Sequence, residues 1–173
     1  MIHGGDDWRA ELIRAGNIVQ DDDKEADRDQ AQRDCLRYVE LVEMVDGSEG
    51  RSVFDALIAS MQVPEDYLVY EATVGVLHRF RDASVGEWLY DGWFGLLERS
   101  PFRAWDLLNQ LARDGFRVEA REPFNRAWGR ADPQQQRRDV PILSSSAGYS
   151  RSLNSRNVMA GWTTLAPRES CDR

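Results

Sequence analysis

Few residues of this chain have the type and spacing that catalysis requires. The sequence contains no phosphate-binding G-x-x-x-x-G-K-[ST] loop, no H-E-x-x-H zinc motif and no G-x-S-x-G nucleophile turn. The histidines are His3 and His78, and the nearest carboxylate on the same predicted helix as His78 is Glu71, two helical turns away. A general base needs a partner within hydrogen-bond reach. We therefore expect His78 to be a packed side chain and the protein not to be an enzyme.

An acidic segment near the start of the chain imitates a calcium-binding loop only in part. Asp21, Asp23 and Glu25 have the alternating spacing of such a loop. Its sixth position, however, is Ala26 instead of glycine, and its twelfth is Gln32 instead of glutamate. We interpret the segment as a solvated acidic surface, and we expect neither a metal nor any other cofactor.

Aromatic residues are crowded in the middle of the chain. Trp88, Tyr90, Trp93 and Phe94 fall within seven positions, and one helix cannot place all four on a single stripe. Either this helix is buried nearly all round, which is the interpretation we favour, or an aromatic edge is exposed. An exposed edge would suit a protein partner, because Trp and Tyr are common interface anchors. Its acidic rim would be Glu65, Asp66, Glu71, Glu87 and Asp91.

Charge is distributed unevenly along the 173 residues. The chain has 30 acidic and 22 basic side chains, for a net charge of −8. Residues 1–50 carry −8, residues 51–120 carry −4 and residues 121–173 carry +4. This balance argues against direct nucleic-acid binding, which requires a basic surface. The two cysteines, Cys35 and Cys171, are too few for a disulfide scaffold.

Apolar periodicity and capping residues predict an all-α fold. Ser52, Ser84 (with Glu87) and Ser100 are the expected helix caps. After Gly115 the pattern permits a short extended piece or one more helix, 122–131. The expected helices are 6–15, 23–46, 53–62, 64–80, 85–99 and 101–114.

Very short turns join these helices, so consecutive helices should form antiparallel hairpins that stack as a bundle or a short solenoid. We expect residues 1–131 to form one helical domain and residues 132–173 to form an irregular arm, either flexible or docked. The first residues lack the features of a secretory signal, and no segment approaches the roughly 20 apolar residues of a membrane span. We therefore expect a cytoplasmic protein without a membrane partner.

Residues 52–80 (SVFDALIASMQVPEDYLVYEATVGVLHRF) resemble the core segment of helical bacterial immunity proteins, which accompany toxins delivered between competing cells. The resembling features are the apolar helix ending in SMQ, the PEDY turn and the helix VYEATVGVLHRF. The resemblance extends more loosely through residue 115. It implies stacked helical hairpins similar to HEAT repeats, binding to one cognate toxin domain and no catalytic residues.

An acidic helical protein suits the inhibition of a basic toxin, because opposite charges steer the encounter. We expect the chain to occlude the active site of such a toxin. Three other hypotheses stay open: a phage- or plasmid-encoded acidic inhibitor of a host defence complex, an enzyme with His78 in a cleft facing a carboxylate, and a structural subunit whose tail docks on a neighbour. The expected partner-binding residues are Tyr67, Glu71, Glu87, Tyr90 and Asp91, with Asp21, Asp22 and Asp23 as a second patch.

Overall fold

A computed structural model describes residues 6–20, 22–112 and 118–130 of the chain. Within these residues all regular structure is helical, which confirms the all-α prediction. The predicted arm 132–173 and Asp21 lie outside the described residues. The helices are α1 (Asp6–Ala15), α2 (Arg28–Glu43), α3 (Arg51–Ser60), α4 (Glu71–Leu77), α5 (Val85–Arg99), α6 (Pro101–Ala112) and α7 (Val118–Arg130).

The helices are arranged in two rows. The odd row consists of α1, α3, α5 and α7, each packed against the next member. The even row consists of α2, α4 and α6, together with the segment 64–70 that leads into α4. Helix α2 packs on α1 and α4, and α6 packs on α5 and α7. This order of neighbours is that of stacked helical hairpins.

Helices within each row run in the same direction. In the even row, Glu71 at the start of α4 bonds to Arg103 of α6, and His78 at the end of α4 bonds to Gln110 of α6. Both pairs advance by seven positions, so the two helices run in the same direction. In the odd row the backbone of Ala120 lies against Gly86, and the Phe124 ring lies against the Tyr90 ring, so α7 follows the direction of α5. Parallel order within each row is what successive hairpins of a stack produce.

Helix α5 is the centre of the core because α3, α6 and α7 all pack against it. Leu89 and Trp93 are fully buried, and Tyr90 makes edge-to-face contacts with the rings of Phe94, Phe124 and Trp128. Such ring pairs add stabilisation beyond the area that they bury. The favoured interpretation of the aromatic crowding, a helix covered nearly all round, is confirmed.

Two predicted helices are too long, because side-chain carboxylates bind backbone N–H groups. Helix α2 begins at Arg28 instead of 23, since Asp27 accepts hydrogen bonds from the N–H groups of Asp29 and Gln30. It ends at Glu43 instead of 46. The predicted helix 64–80 is reduced to Glu71–Leu77, and residues 64–70 form turns instead.

Several predicted helix boundaries are also wrong. Helix α3 begins at Arg51 behind Gly50, and Ser84 makes no side-chain cap bond. Helix α7 begins at Val118, before Pro123, which occupies an early position in the helix. By contrast, the predicted spans 6–15 and 85–99 are confirmed, and α6 begins at Pro101 as expected.

Two buried tyrosines connect the first four helices. The Tyr38 hydroxyl bonds to Ser60 Oγ (2.8 Å) and Thr73 Oγ1 (2.5 Å). The Tyr70 hydroxyl donates to the carbonyl of Gly16 (2.6 Å). Burial raises the pKa of both phenols, because the charged form would lose its hydration.

Stability should therefore fall in alkaline solution. The pKa of each phenol is higher in the folded chain than its ordinary value near 10, so the contribution is complete below pH 10 and is lost as the pH rises above it. Each phenol should lower the free energy of unfolding by about 1.4 kcal/mol per pH unit there. Urea titrations from pH 8 to 11 should show a shallower decline for Tyr38→Phe. An equal decline in both proteins would contradict the assignment.

The approach of α5 to α7 depends on Gly86. A Cβ atom at this position would lie 1.8 Å from the carbonyl oxygen of Ala120. Gly86→Ala should lower the free energy of unfolding by about 1–3 kcal/mol, because the helices must separate. Gly75→Ala is the matched control, since Gly75 is helical and faces open space. It should stabilise the chain by about 0.5–1 kcal/mol, and equal effects would refute the packing argument.

Candidate interaction surface

Among the described residues, all large exposed apolar side chains lie in one row. In the described part of the chain they are Leu36, Met44, Tyr67, Leu68 and Phe102. All five belong to the even row: two lie on α2 or at its C-terminal cap, two lie in segment 64–70, and one lies in the first turn of α6. Single exposed apolar residues are ordinary, but their restriction to one row marks that row as the candidate interaction surface.

The turn before α4 holds two of these side chains in an unusual backbone conformation. Tyr67 and Leu68 have φ angles of 48° and 70°, in the left-handed region that non-glycine residues rarely adopt. Asp66 holds the turn, because its carboxylate accepts hydrogen bonds from the N–H groups of Leu68 (3.4 Å) and Tyr70 (3.0 Å). Strain of this kind persists only where neighbouring contacts stabilise it, and it is common at functional sites.

Arg103 of α6 holds Asp66 from the other side. Its guanidinium is 1% exposed, and it donates from Nε and Nη2 to the two carboxylate oxygens of Asp66 at 2.9 and 3.2 Å. Nη1 donates to Glu71 (2.6 Å) and lies 3.6 Å from Asp106. Burial alone would lower the pKa of Arg103, but the bond to Glu71 and the three nearby carboxylates outweigh burial and raise it. The guanidinium therefore stays charged.

These contacts bring two chain segments that carry exposed apolar side chains to the same ion pair. Tyr67 and Leu68 follow Asp66 directly, and Phe102 precedes Arg103, whose guanidinium lies 5.2 Å from the Phe102 ring centroid. The forked ion pair thus fixes the turn against the start of α6. We call Tyr67, Leu68 and Phe102 the apolar patch. Leu68 is 72% exposed and Phe102 is 53% exposed.

The structure separates the partner-binding residues that the sequence suggested. Tyr67 and Glu71 lie together at the apolar patch, while Asp22 and Asp23 are exposed in the connection between α1 and α2. The other three lie on α5 in the odd row and contact their own chain. Glu87 pairs with Arg130 (3.3 Å), Asp91 pairs with Arg51 (2.8 Å), and Tyr90 packs against α7.

Sequence reasoning missed three residues of this surface. Leu68 lay inside the predicted helix 64–80, and neither Phe102 nor Arg103 was expected at an interaction surface. The sequence contained one usable signal, the Pro-Glu-Asp run at 64–66, because Pro and Asp favour turns as well as helix starts. Nothing local indicates the bond between Asp66 and a residue 37 positions later.

His78 lines a small cavity of about 140 Å³ between the α4–α5 connection and α7. Arg81, Asp82 and Glu119 also line this cavity. The imidazole Nε2 of His78 bonds to the amide oxygen of Gln110 on α6. Ligand pockets are usually larger, roughly 300 Å³ or more.

The described residues contain no group of three or more metal-ligating side chains that could hold an ion. None of the described helices is long and apolar enough to cross a membrane. A scan against protein-family models, a search of curated proteins and a search of solved structures each found no match to this chain.

The buried ion pair should be essential for stability. Arg103→Met leaves the Asp66 carboxylate buried without its partner and should lower the free energy of unfolding by about 3–5 kcal/mol. Arg130→Met removes the exposed pair with Glu87 and should cost less than about 1 kcal/mol. Chemical denaturation of the two variants measures both changes. Similar losses would show that the Arg103 pair does not stabilise the fold in this way.

Proposed function

We propose that this protein is an immunity-type inhibitor that binds one cognate toxin through its even row and occludes the active site of that toxin. The observation that carries the proposal is that, among the residues the structure describes, the large exposed apolar side chains all lie in that row. A surface of this kind leaves apolar area in water until a partner covers it. The charged and aromatic residues of α5, by comparison, already contact the protein itself.

Charge favours a basic partner. Helix α2, segment 64–77 and α6 together contain eight acidic and four basic side chains. Arg103 and Asp66 are buried together, so seven acidic and three basic side chains remain for the surface of this row. The even row therefore presents a negative surface around its apolar side chains. A negative surface accelerates association with a positively charged protein and discriminates against acidic ones.

The resemblance to immunity proteins involves the same surface. The segment that resembles them, residues 52–80, spans α3, the strained turn and α4. Its PEDY turn contains Asp66 and Tyr67, so one of the three resembling features includes a residue of the apolar patch. This coincidence supports an inhibitor of the immunity class, with recognition by surface contact.

The direct test is binding to the product of the gene that neighbours this one. That protein should arrest growth when it is expressed alone, and co-expression of this chain should restore growth. The two purified proteins should bind each other in titration calorimetry, and the activity of the toxin should be lost in the complex. A neighbouring product that is harmless, or that does not bind, would overturn the proposal.

Matched charge reversals locate the interface. Glu65→Lys places a cation beside the strained turn of the even row, whereas Glu98→Lys makes the same change on α5 of the odd row, and both positions are exposed. We expect Glu65→Lys to weaken toxin binding about tenfold, mainly through a slower association rate, and Glu98→Lys to change it less than about twofold. Surface plasmon resonance at two salt concentrations measures this. Equal effects would mean that the even row is not the interface.

A further inference from the structure

We propose that the apolar patch and the charged cluster around Arg103 form one recognition site for a basic segment of the partner, in which an arginine or lysine neighbours an apolar anchor. This inference rests on the proposed function for its biological role, but the chemistry of the site follows from the structure. The site joins two chain segments, 66–71 and 101–106, that the Asp66–Arg103 pair holds together.

The apolar half of the site is suited to a side-chain anchor. Leu68 and Phe102 are each more than half exposed; Leu68 lies two positions after Asp66, and the Phe102 ring lies 5.2 Å from the Arg103 guanidinium. An aliphatic or aromatic side chain that packs between them would remove apolar area on both proteins from water. Burial of this kind contributes about 25 cal/mol per Å² before the costs of association.

The charged half of the site is suited to a cation. Asp66, Glu71 and Asp106 surround the single guanidinium of Arg103, so the cluster carries a net charge of −2. Arg103 is buried and presents no positive charge to a partner, while the Glu71 side chain is 55% exposed. A guanidinium or ammonium group that arrives beside Phe102 would therefore meet uncompensated carboxylate charge. An acidic segment would be repelled.

The site is organised before the partner arrives. The left-handed conformation of Tyr67 and Leu68 is costly, and the hydrogen bonds to Asp66 maintain it in the free protein. A turn that is already fixed loses little conformational entropy on binding. This is the property expected of a recognition site, because the binding energy is not consumed in ordering the loop.

The full chain can be tested without any toxin. We would titrate ¹⁵N-labelled protein with the capped peptide Leu-Arg-Leu-Arg-Leu and, separately, with capped Leu-Glu-Leu-Glu-Leu, following amide chemical shifts. The arginine peptide should shift the amides of residues 66–71 and 101–106, with an affinity that falls as salt is added. The glutamate peptide should produce no saturable shifts there. Shifts centred elsewhere, equal binding of both peptides, or no binding of either would overturn the inference.

Variants separate this site from the rest of the even row. Leu68→Ser with Phe102→Ser should weaken binding of the arginine peptide about fivefold or more, and Glu71→Gln should weaken it about threefold. Leu36→Ser is the matched control, because Leu36 is an exposed leucine of the same row on α2. It should leave the affinity unchanged. An equal loss from Leu36→Ser would overturn the assignment to the patch.

Different results would overturn the proposed recognition site and the proposed function. Peptide binding at the patch without toxin neutralisation would overturn the proposed function and leave the recognition site standing. Toxin neutralisation that survives Leu68→Ser with Phe102→Ser would overturn this inference alone. Residues 131–173 of the same chain, or a second copy, are competing occupants. If the patch amide shifts changed with protein concentration but not with the arginine peptide, a second copy would be the occupant. If they changed on removal of residues 131–173 but not with the peptide, that segment would be the occupant. Either result would overturn the proposal of a basic partner.

Discussion

The buried guanidinium of Arg103 is the constraint on which the interaction surface depends. A charge removed from water is tolerated only where carboxylates and hydrogen bonds replace its hydration. Asp66 accepts two hydrogen bonds from the guanidinium, and it is thereby fixed between Arg103 and the N–H groups of its own turn. One ion pair therefore stabilises the stacking of α6 beside α4, the left-handed turn and the exposed position of Leu68.

The two rows divide the tasks of stability and recognition. Helix α5 buries aromatic side chains against α7, and its carboxylates Glu87 and Asp91 form ion pairs within the protein. The exposed residues of α7 that the structure describes are polar or glycine. The even row departs from this pattern, because it exposes apolar side chains beside a cluster of three carboxylates and one guanidinium, which carries a net charge of −2. That departure is the physical basis for assigning it to a partner.

The sequence predicted what local chemistry determines and missed what distant contacts determine. The apolar spacing of α1 and α5 and the Ser100–Pro101 start of α6 were sufficient to place those helices. Helix α4 was predicted too long because Pro64 is equally suitable for a helix start and for a turn. The choice is made by the bond from Asp66 to Arg103, which is a tertiary contact. For the same reason the sequence did not indicate that Leu68 and Phe102 are exposed next to the residues of this pair.

The central claim is that the even row is the surface that meets the partner. Hydrogen–deuterium exchange of the protein with and without its cognate toxin tests this most directly, because it reports protection along the whole backbone without any substitution. The account predicts new protection in residues 64–71, in residues 101–106 and on α2, with exchange on α1, α3 and α5 unchanged. Protection confined to α5 and α7 would contradict it.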